Sequence, residues 1–440
     1  MRTFNLFLKE TRKSLNLQLH EVYNKTKIEV SVLSKIENGK RHPTEKQLLK
    51  LAELYNCNKE KLYVHWLSDK LALEAKKHGN LGLEALNLAE EKIRYGKSSA
   101  LMSDFYQNLN IESRRYIGSK AKLTDWIITT IKKETKNVKS FVDIFAGTAS
   151  ISKAASPYFE EIIINDILHA NNIIYQAFFS KSEWSIEKLN SIIKFYNNLN
   201  PSILDDNYFS LNYGDKFFDY LNAKLIGYIR EDIENKKSEL TNKEYCILLS
   251  SLIYSIDRIA NTVGHFDAYI KKPIKPKELY FKLIQPIEIN KVSIYNEDAN
   301  KLARKIKSDL VYIDPPYNSR QYSRFYHLYE NLVKWDKPKL YGVALKPEPE
   351  NMSVYCTVRA KNALHDLVNN LDTNYIALSY NNTYKSKSHS SENKIKLEEI
   401  EMMLKEIGKT KIFECSHKFF NAGKTDFEDH KELLFITELK

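Results

Sequence analysis

The sequence predicts an α/β protein: a largely parallel sheet with covering helices, interrupted by a mostly helical insert and preceded by a small all-α unit. Three observations lead there. Short apolar, β-prone runs recur between helical segments: Phe141–Ile144, EEIIINDI, VSIYNEDA, Leu310–Ile313 and NYIALSYNN. Several of these runs end in an acid or a glycine turn, as strands do when they deliver a ligand site at their carboxyl ends. Residues 1–66 contain no such run. There Phe4, Leu8, Leu15, Leu19, Val22, Val32, Leu33, Ile36, Leu48, Leu51, Ala52 and Leu54 fall at helical spacing.

A chain of 440 residues suits two or three domains. The formal charge of +11 points toward a polyanionic partner, although frequent Asn, Lys, Ile and Tyr attribute part of it to genome composition. Cys57, Cys246, Cys356 and Cys415 stand far apart, which suits reduced thiols in a cytoplasmic protein rather than a metal site or a disulfide framework. No apolar run approaches the length of a membrane span.

The first unit, 1–66, holds thirteen basic and seven acidic residues, over half of the chain's positive excess. LQLHEVYNKTKIEVSVLSKIENGKRHP reads as a helix, a tight turn and a second helix from about Glu29 to Glu37 that stops at Gly39. Ser34, Ile36, Glu37, Asn38, Gly39 and Pro43 resemble the pattern of the phage-repressor-like helix-turn-helix family. That resemblance implies a duplex-DNA reader, with Glu29, Ser31 and Lys35 facing bases and Lys40 and Arg41 on phosphates. It also allows a dimer through this unit. Glu29 and Glu37 would place acids on the reading helix. The alternative is a plain helical bundle. Residues 67–112 read as a helical connector.

From 113 the character changes. SRRYIGSKAKL leads into an amphipathic helix, and a Gly-Ser turn at a helix start makes a small anion-favouring pocket. SFVDIFAGTASIS reads as strand, glycine turn and helix, the opening of a nucleotide-type sheet without dinucleotide glycine spacing. EEIIINDI ends in Asp166, placed for a ribose hydroxyl pair or as a helix cap. VSIYNEDA ends in Glu297 and Asp298. Residues 170–290 exceed any connecting loop and read as an inserted helical subdomain, with helices near 183–198, 216–236 and 243–260. Its Arg258, Asn261, His265, Lys271 and Lys272 interleave basic, amide and aromatic groups as a DNA contact would.

The run DLVYIDPPYNSRQY is the centre of the reading. After the apolar strand, Pro315 and Pro316 fix φ and remove two N–H donors, so neither sheet nor helix continues. Freed carbonyls and Asp314 can accept hydrogen bonds from one exocyclic amino group, while Tyr317 can stack on the ring that bears it. The reading requires a hollow beside this corner able to hold both a base and a donor molecule.

In this order, the segments of 113–440 resemble the adenine-specific DNA methyltransferases of the group that includes the bacterial Dam enzyme. The resemblance implies a Rossmann-like domain using S-adenosylmethionine. It implies that Tyr116, Gly118 and Lys120 line the methionine and target side, that Asp143, Phe145 and Gly147 hold the methionine moiety, and that Asp166 takes the ribose and Asp298 the cofactor adenine. Asp314, Pro315, Pro316 and Tyr317 would hold the target adenine, and 170–290 would recognise the site. Ala149 stands where the family often has a second glycine. A modification role would bring a cognate restriction endonuclease as a functional partner. The competing reading is a helix-turn-helix regulator whose methylase part is inactive or secondary. Another is action on RNA.

Overall fold

The computed structural model describes residues 4–55, 57, 59–79, 81–82, 85, 109–275, 277–382, 392–416 and 431–440. Most of the expected connector therefore lies outside the described residues. The chain divides into two compact units, Met1–Gln107 and Asn108–Lys440.

The first unit contains α1 (Phe4–Ser14), α2 (Leu19–Thr26), α3 (Val30–Glu37), α4 (Glu45–Leu54) and α5 (Lys59–Lys76). Lys27 takes a left-handed conformation (φ 58°) and turns the chain sharply between α2 and α3. Thr44 caps α4: its hydroxyl accepts the Gln47 amide at 3.3 Å while the Gln47 side chain accepts the Thr44 amide at 3.0 Å. Phe4, Leu8, Val22, Leu33, Ile36, Leu48, Leu51 and Trp66 pack into one core.

One expectation for this unit needs correction. Glu37 does not sit on a DNA-reading face. It is buried and takes a two-pronged contact from Arg12, with Nε at 2.6 Å and Nη2 at 2.9 Å. Helical phase turns Glu37 inward beside Leu33 and Ile36. Ser31, Lys35, Lys40 and Arg41 are exposed. Leu15, expected in the core, is exposed just beyond the last turn of α1.

The second unit is built on a seven-stranded sheet of β1 (Ser140–Asp143), β2 (Glu161–Asn165), β3 (Val292–Tyr295), β4 (Lys307–Ile313), β5 (Asp372–Asn381), β6 (Gly408–Ser416) and β7 (Lys431–Leu439). The order is β3-β2-β1-β4-β5-β7-β6. The first five strands are parallel to their neighbours, and β7 runs antiparallel to both β5 and β6. The chain starts at β1, winds outward to β3, then returns to β4 on the other side of β1. That reversal opens a crevice at the carboxyl ends of β1 and β4.

Both faces of the sheet are covered, which explains the uninterrupted apolar strands. Phe141, Ile162, Ile164, Leu310 and Tyr312 point into one core with α6 (Thr124–Glu134) and α7 (Ser150–Ala155). Val142, Ile144, Ile163, Val311 and Ile313 point into the other, opposite α13 (Ala299–Ala303), α16 (Ala360–Asn369) and α17 (Leu397–Ile407).

The stretch 170–290 is mostly helical up to Ile259, with α8 (His169–Phe179), α9 (Ile186–Asn197), α10 (Tyr208–Tyr213), α11 (Tyr220–Asn235) and α12 (Asn242–Ile259). These helices share the first core with β1 and β2. In α12 every residue from Lys243 to Asp257 is buried, so it has no polar face to turn to water. Two short helices, α14 (Tyr322–Phe325) and α15 (His327–Lys334), follow the Pro-Pro corner. The Tyr329 hydroxyl donates to Asp257 at 2.6 Å, tying α15 to the end of α12.

Candidate active site

The site forms where β1 and β4 end side by side, with the Ile144 amide donating to the Tyr312 carbonyl at 3.2 Å. Past β1 the chain turns through Gly147 (φ 53°) into α7. A Cβ at Gly147 would stand 3.4 Å from the Tyr116 ring, in a backbone conformation that side chains rarely adopt. Ala149 is left-handed as well (φ 55°) and fully buried, so the turn accommodates a methyl where a glycine is usual.

Asp166, at the end of β2, accepts the Gly147 amide at 3.0 Å and the Leu168 amide at 2.9 Å. It therefore braces the turn, and the Asn171 side chain gives it a further hydrogen bond. Asp298 caps α13 by accepting the Lys301 amide at 3.1 Å. Phe145 packs edge-on against Tyr355 at 5.0 Å on the α13 side of the sheet. Asp143 is 1% exposed; the Ser152 hydroxyl donates to its Oδ2 at 2.7 Å, and Oδ1 has no hydrogen-bond partner among the described residues. Burial pushes its carboxyl up to about 7, the Ser152 hydrogen bond opposes this, and Asp314 and Asp166 add to it.

Tyr116 stacks on Tyr326 (4.6 Å, 9°) and lies against Tyr322 (5.4 Å, 30°), the three rings forming one cluster. Gly118 (φ 78°) passes close under Tyr322, where a Cβ would lie 2.9 Å from the hydroxyl. Arg114 adjoins this stack, its guanidinium 4.7 Å from the Tyr116 ring centre and its Nη2 donating to Asn171 at 2.8 Å.

The Pro-Pro corner comes next to these groups. Lys120 is buried, and its ammonium lies 2.6 Å from the Tyr317 hydroxyl, 2.6 Å from Glu432 and 3.3 Å from Asp314. The Tyr317 hydroxyl donates to Asp314 and lies 3.3 Å from Glu432. Its ring meets Tyr380 edge-on at 4.6 Å. Burial pushes the Asp314 carboxyl up to about 6; Lys120 pulls it down and Glu432 pushes it up.

The corner is thus closed on itself. A shallow hollow with about 20 Å³ of usable space, lined by Ile117, Asn318, Arg320, Tyr322, Phe325 and Tyr326, adjoins it. That is below the roughly 300 Å³ at which small-molecule pockets begin. Among the described residues, this hollow is too small to hold a base and a donor molecule together.

Glu432 escapes sequence inspection altogether. An acid at the head of the apolar run ELLF was the available signal.

The groups expected on DNA in 170–290 are not gathered in one way. Lys271 and Lys272 are exposed and Arg258 is half-buried. Asn261 donates both amide hydrogens inward, to the Lys216 and Ile270 carbonyls at 2.9 Å each, and so frames its loop. His265 accepts the Asp267 amide at 3.2 Å, and its ring lies 4.7 Å from that of Phe325.

Comparison with known proteins gives this crevice a context. A helix-turn-helix family model matches residues 8–62. The chain is 33% identical over 350 residues to "Modification methylase StsI" of Streptococcus sanguinis, covering 74% of this chain and 52% of that protein. It is 31% identical over 338 residues to "Type II methyltransferase M.CviAII" of Paramecium bursaria Chlorella virus 1, covering 74% of this chain and 98% of that one. It is 29% identical over 329 residues to "Type II methyltransferase M.NlaIII" of Neisseria lactamica, covering 72% and 95%. The chain thus spans about half of the first relative and nearly all of the other two. The model of the D12 class N6 adenine-specific DNA methyltransferases matches residues 116–403, well over half of the sequence, and to that family the chain belongs.

Proposed function

We propose that this protein transfers a methyl group from S-adenosylmethionine to the 6-amino nitrogen of an extruded adenine within a specific duplex-DNA site. The observation that carries the reading is the meeting of Asp314 and the Pro-Pro corner with the Asp143–Gly147 turn at the sheet's switch point. The donor set fits a nucleoside cofactor with a cationic amino-acid tail. Asp143 has a buried carboxylate oxygen with no partner, able to take an ammonium. Gly147 leaves room that a Cβ would take, and Asp166 and Asp298 stand at successive strand ends.

When bound, S-adenosylmethionine supplies an electrophilic methyl group on a sulfonium. The chain's part is to present the nucleophile. Asp314 and the Pro315 carbonyl accept the two amino hydrogens, which localises the nitrogen lone pair and aims it at the methyl carbon. Tyr317 provides the flat contact for the purine once its hydroxyl is released. The amino proton that has to leave the nitrogen would depart along its hydrogen bond to Asp314. The exposed Ser31, Lys35, Lys40 and Arg41 hold duplex DNA, and Lys271, Lys272 and Arg258 extend the contact on the catalytic unit. In this reading the protein works in the cytoplasm beside a cognate restriction endonuclease, and dimerises through its helix-turn-helix unit.

The test is to incubate the full chain with methyl-labelled S-adenosylmethionine and mixed-sequence duplex DNA, and to map N6-methyladenine. Label at one recurrent sequence is expected, lost at least about 1000-fold in Asp314→Ala with DNA binding retained. Turnover retained in that variant would refute the assignment. An unlabelled product with intact DNA binding would favour a regulator.

A further inference from the structure

We infer that Glu432 is a positioning residue for this corner: it is the carboxylate that keeps Lys120 when Asp314 turns to the substrate amino group. The inference rests on the function proposed above and adds a group that the motif pattern does not contain.

In the structure one ammonium serves two carboxylates. Lys120 is closer to Glu432 (2.6 Å) than to Asp314 (3.3 Å). Glu432 is 4% exposed, and the Ser379 hydroxyl donates at 3.1 Å to the same Oε1 that meets Lys120. It sits on β7 opposite Asn381 of β5, so its backbone is fixed by the sheet. Asp314, by contrast, starts a loop and is bound by side chains that can swing away, Lys120 and Tyr317.

A base entering the corner needs Asp314 free to accept an amino hydrogen. If Asp314 were the sole partner of Lys120, its release would strand a buried ammonium, a large desolvation cost. With Glu432 in place the ammonium keeps an anion throughout, and only the weaker, longer contact is exchanged. Glu432 also denies Asp314 a full counter-ion, so the carboxylate stays a strong acceptor. Among the described residues, the other groups facing Asp314 are the Tyr317, Tyr312 and Tyr322 hydroxyls and the Asp143 carboxyl. None of them supplies a second cation.

The experiment measures kcat, KM for DNA and the pH profile of adenine methylation for the full-length wild type, Glu432→Gln and Glu432→Asp. Glu432→Gln gives Lys120 to Asp314 alone. Its kcat should fall at least about tenfold with KM within about threefold, the pattern of an interaction lost in the transition state. Its acid limb should also move about one unit lower, because a like charge beside Asp314 is gone. Glu432→Asp retains the charge at shorter reach and should fall between the two in kcat, with the limb unmoved. A Glu432→Gln enzyme within twofold of wild-type kcat, or slower with an unmoved acid limb, would overturn the inference. Should Glu432→Gln lose its cooperative melt, Glu432→Asp carries the test: severalfold lower kcat at unchanged KM supports it, and wild-type kcat overturns it. A wild-type protein that methylates no adenine would instead sink the proposed function, and the inference with it.

Discussion

Replacing Asp143 with Asn should make the catalytic unit more stable at alkaline pH while weakening its activity. Asp143 is 1% exposed, carries one oxygen without a partner and has its carboxyl pushed up from 3.8 to about 7 by burial. At about 1.4 kcal/mol per pH unit, that rise of roughly three units corresponds to about 4 kcal/mol. The folded state binds this proton more tightly than the unfolded chain. The contribution to stability is fully present below about pH 4 and lost as pH rises through about 7. At pH 8 the folded unit therefore bears most of that cost. Asparagine is nearly isosteric, and its oxygen can still accept the Ser152 hydroxyl. Its amide nitrogen, in the unpartnered position, would give back about 1–3 kcal/mol. The net expectation is a gain of about 1–3 kcal/mol at pH 8, a few degrees in melting temperature, shrinking to nothing or reversing near pH 4. Calorimetric melts of the full chain between pH 4.5 and 8.5 would read this as a flatter pH dependence of the catalytic unit's transition. Methylation and S-adenosylmethionine binding should both weaken, since the carboxylate offered to the cofactor's ammonium is gone. A variant less stable than wild type at pH 8, or one with the wild-type pH slope, would refute the reasoning.

Other consequences follow from single contacts. Arg12→Ala leaves Glu37 buried and unpaired, so the first unit should lose about 3–5 kcal/mol, seen as an early melt of that unit with the catalytic unit's transition unmoved. Lys35→Ala and Arg41→Ala should each lower the salt dependence of duplex binding by about one counterion when log affinity is plotted against log salt. Gly118→Ala, at φ 78° and 2.9 Å from the Tyr322 hydroxyl, should cost about 1–3 kcal/mol and displace the Tyr116 stack, raising KM for S-adenosylmethionine in steady-state assays.

What the sequence made legible depended on whether the cause was local. Leu310–Ile313, the Pro-Pro stop and the Gly147 turn follow from a few adjacent residues, and they stand where the apolar period and the prolines put them. The helices near 183–198, 216–236 and 243–260 appear as Ile186–Asn197, Tyr220–Asn235 and Asn242–Ile259, because capping residues such as Ser185, Asp219 and Thr241 mark their starts. Partners chosen across the fold were not legible. Glu432 lies 115 residues beyond Tyr317 and reaches Lys120 only because β7 inserts between β5 and β6. Glu37 looked like a surface acid until Arg12, 25 residues away, folded over it. Asn261 resembled a DNA contact because composition cannot tell an amide that faces solvent from one that closes a loop. Periodicity likewise marked α12 as helical without revealing that all its sides are covered.

The acids at the two ends of β4 show where this fold gives up stability. Asp309, near the start of the strand, accepts the Lys139 and Ser140 amides and the Ser140 hydroxyl at 2.9–3.0 Å, and those bonds hold its carboxyl below the usual range despite burial. It ties β4 to β1, and ionisation there favours the native state. Asp314, one residue past the other end of the same strand, has no such backbone donors among the described residues, and burial lifts it to about 6. Asp143 and Asp166, at the carboxyl ends of β1 and β2, are lifted by burial too. A chain selected only for stability would give Asp143 and Asp314 the backbone donors that Asp309 has, or replace them; Asp166 accepts two backbone amides and is lifted by burial all the same. Their clustering at the switch point, each destabilised in the charged form, is the arrangement expected where a cationic cofactor and an amino-bearing base provide the missing partners on binding.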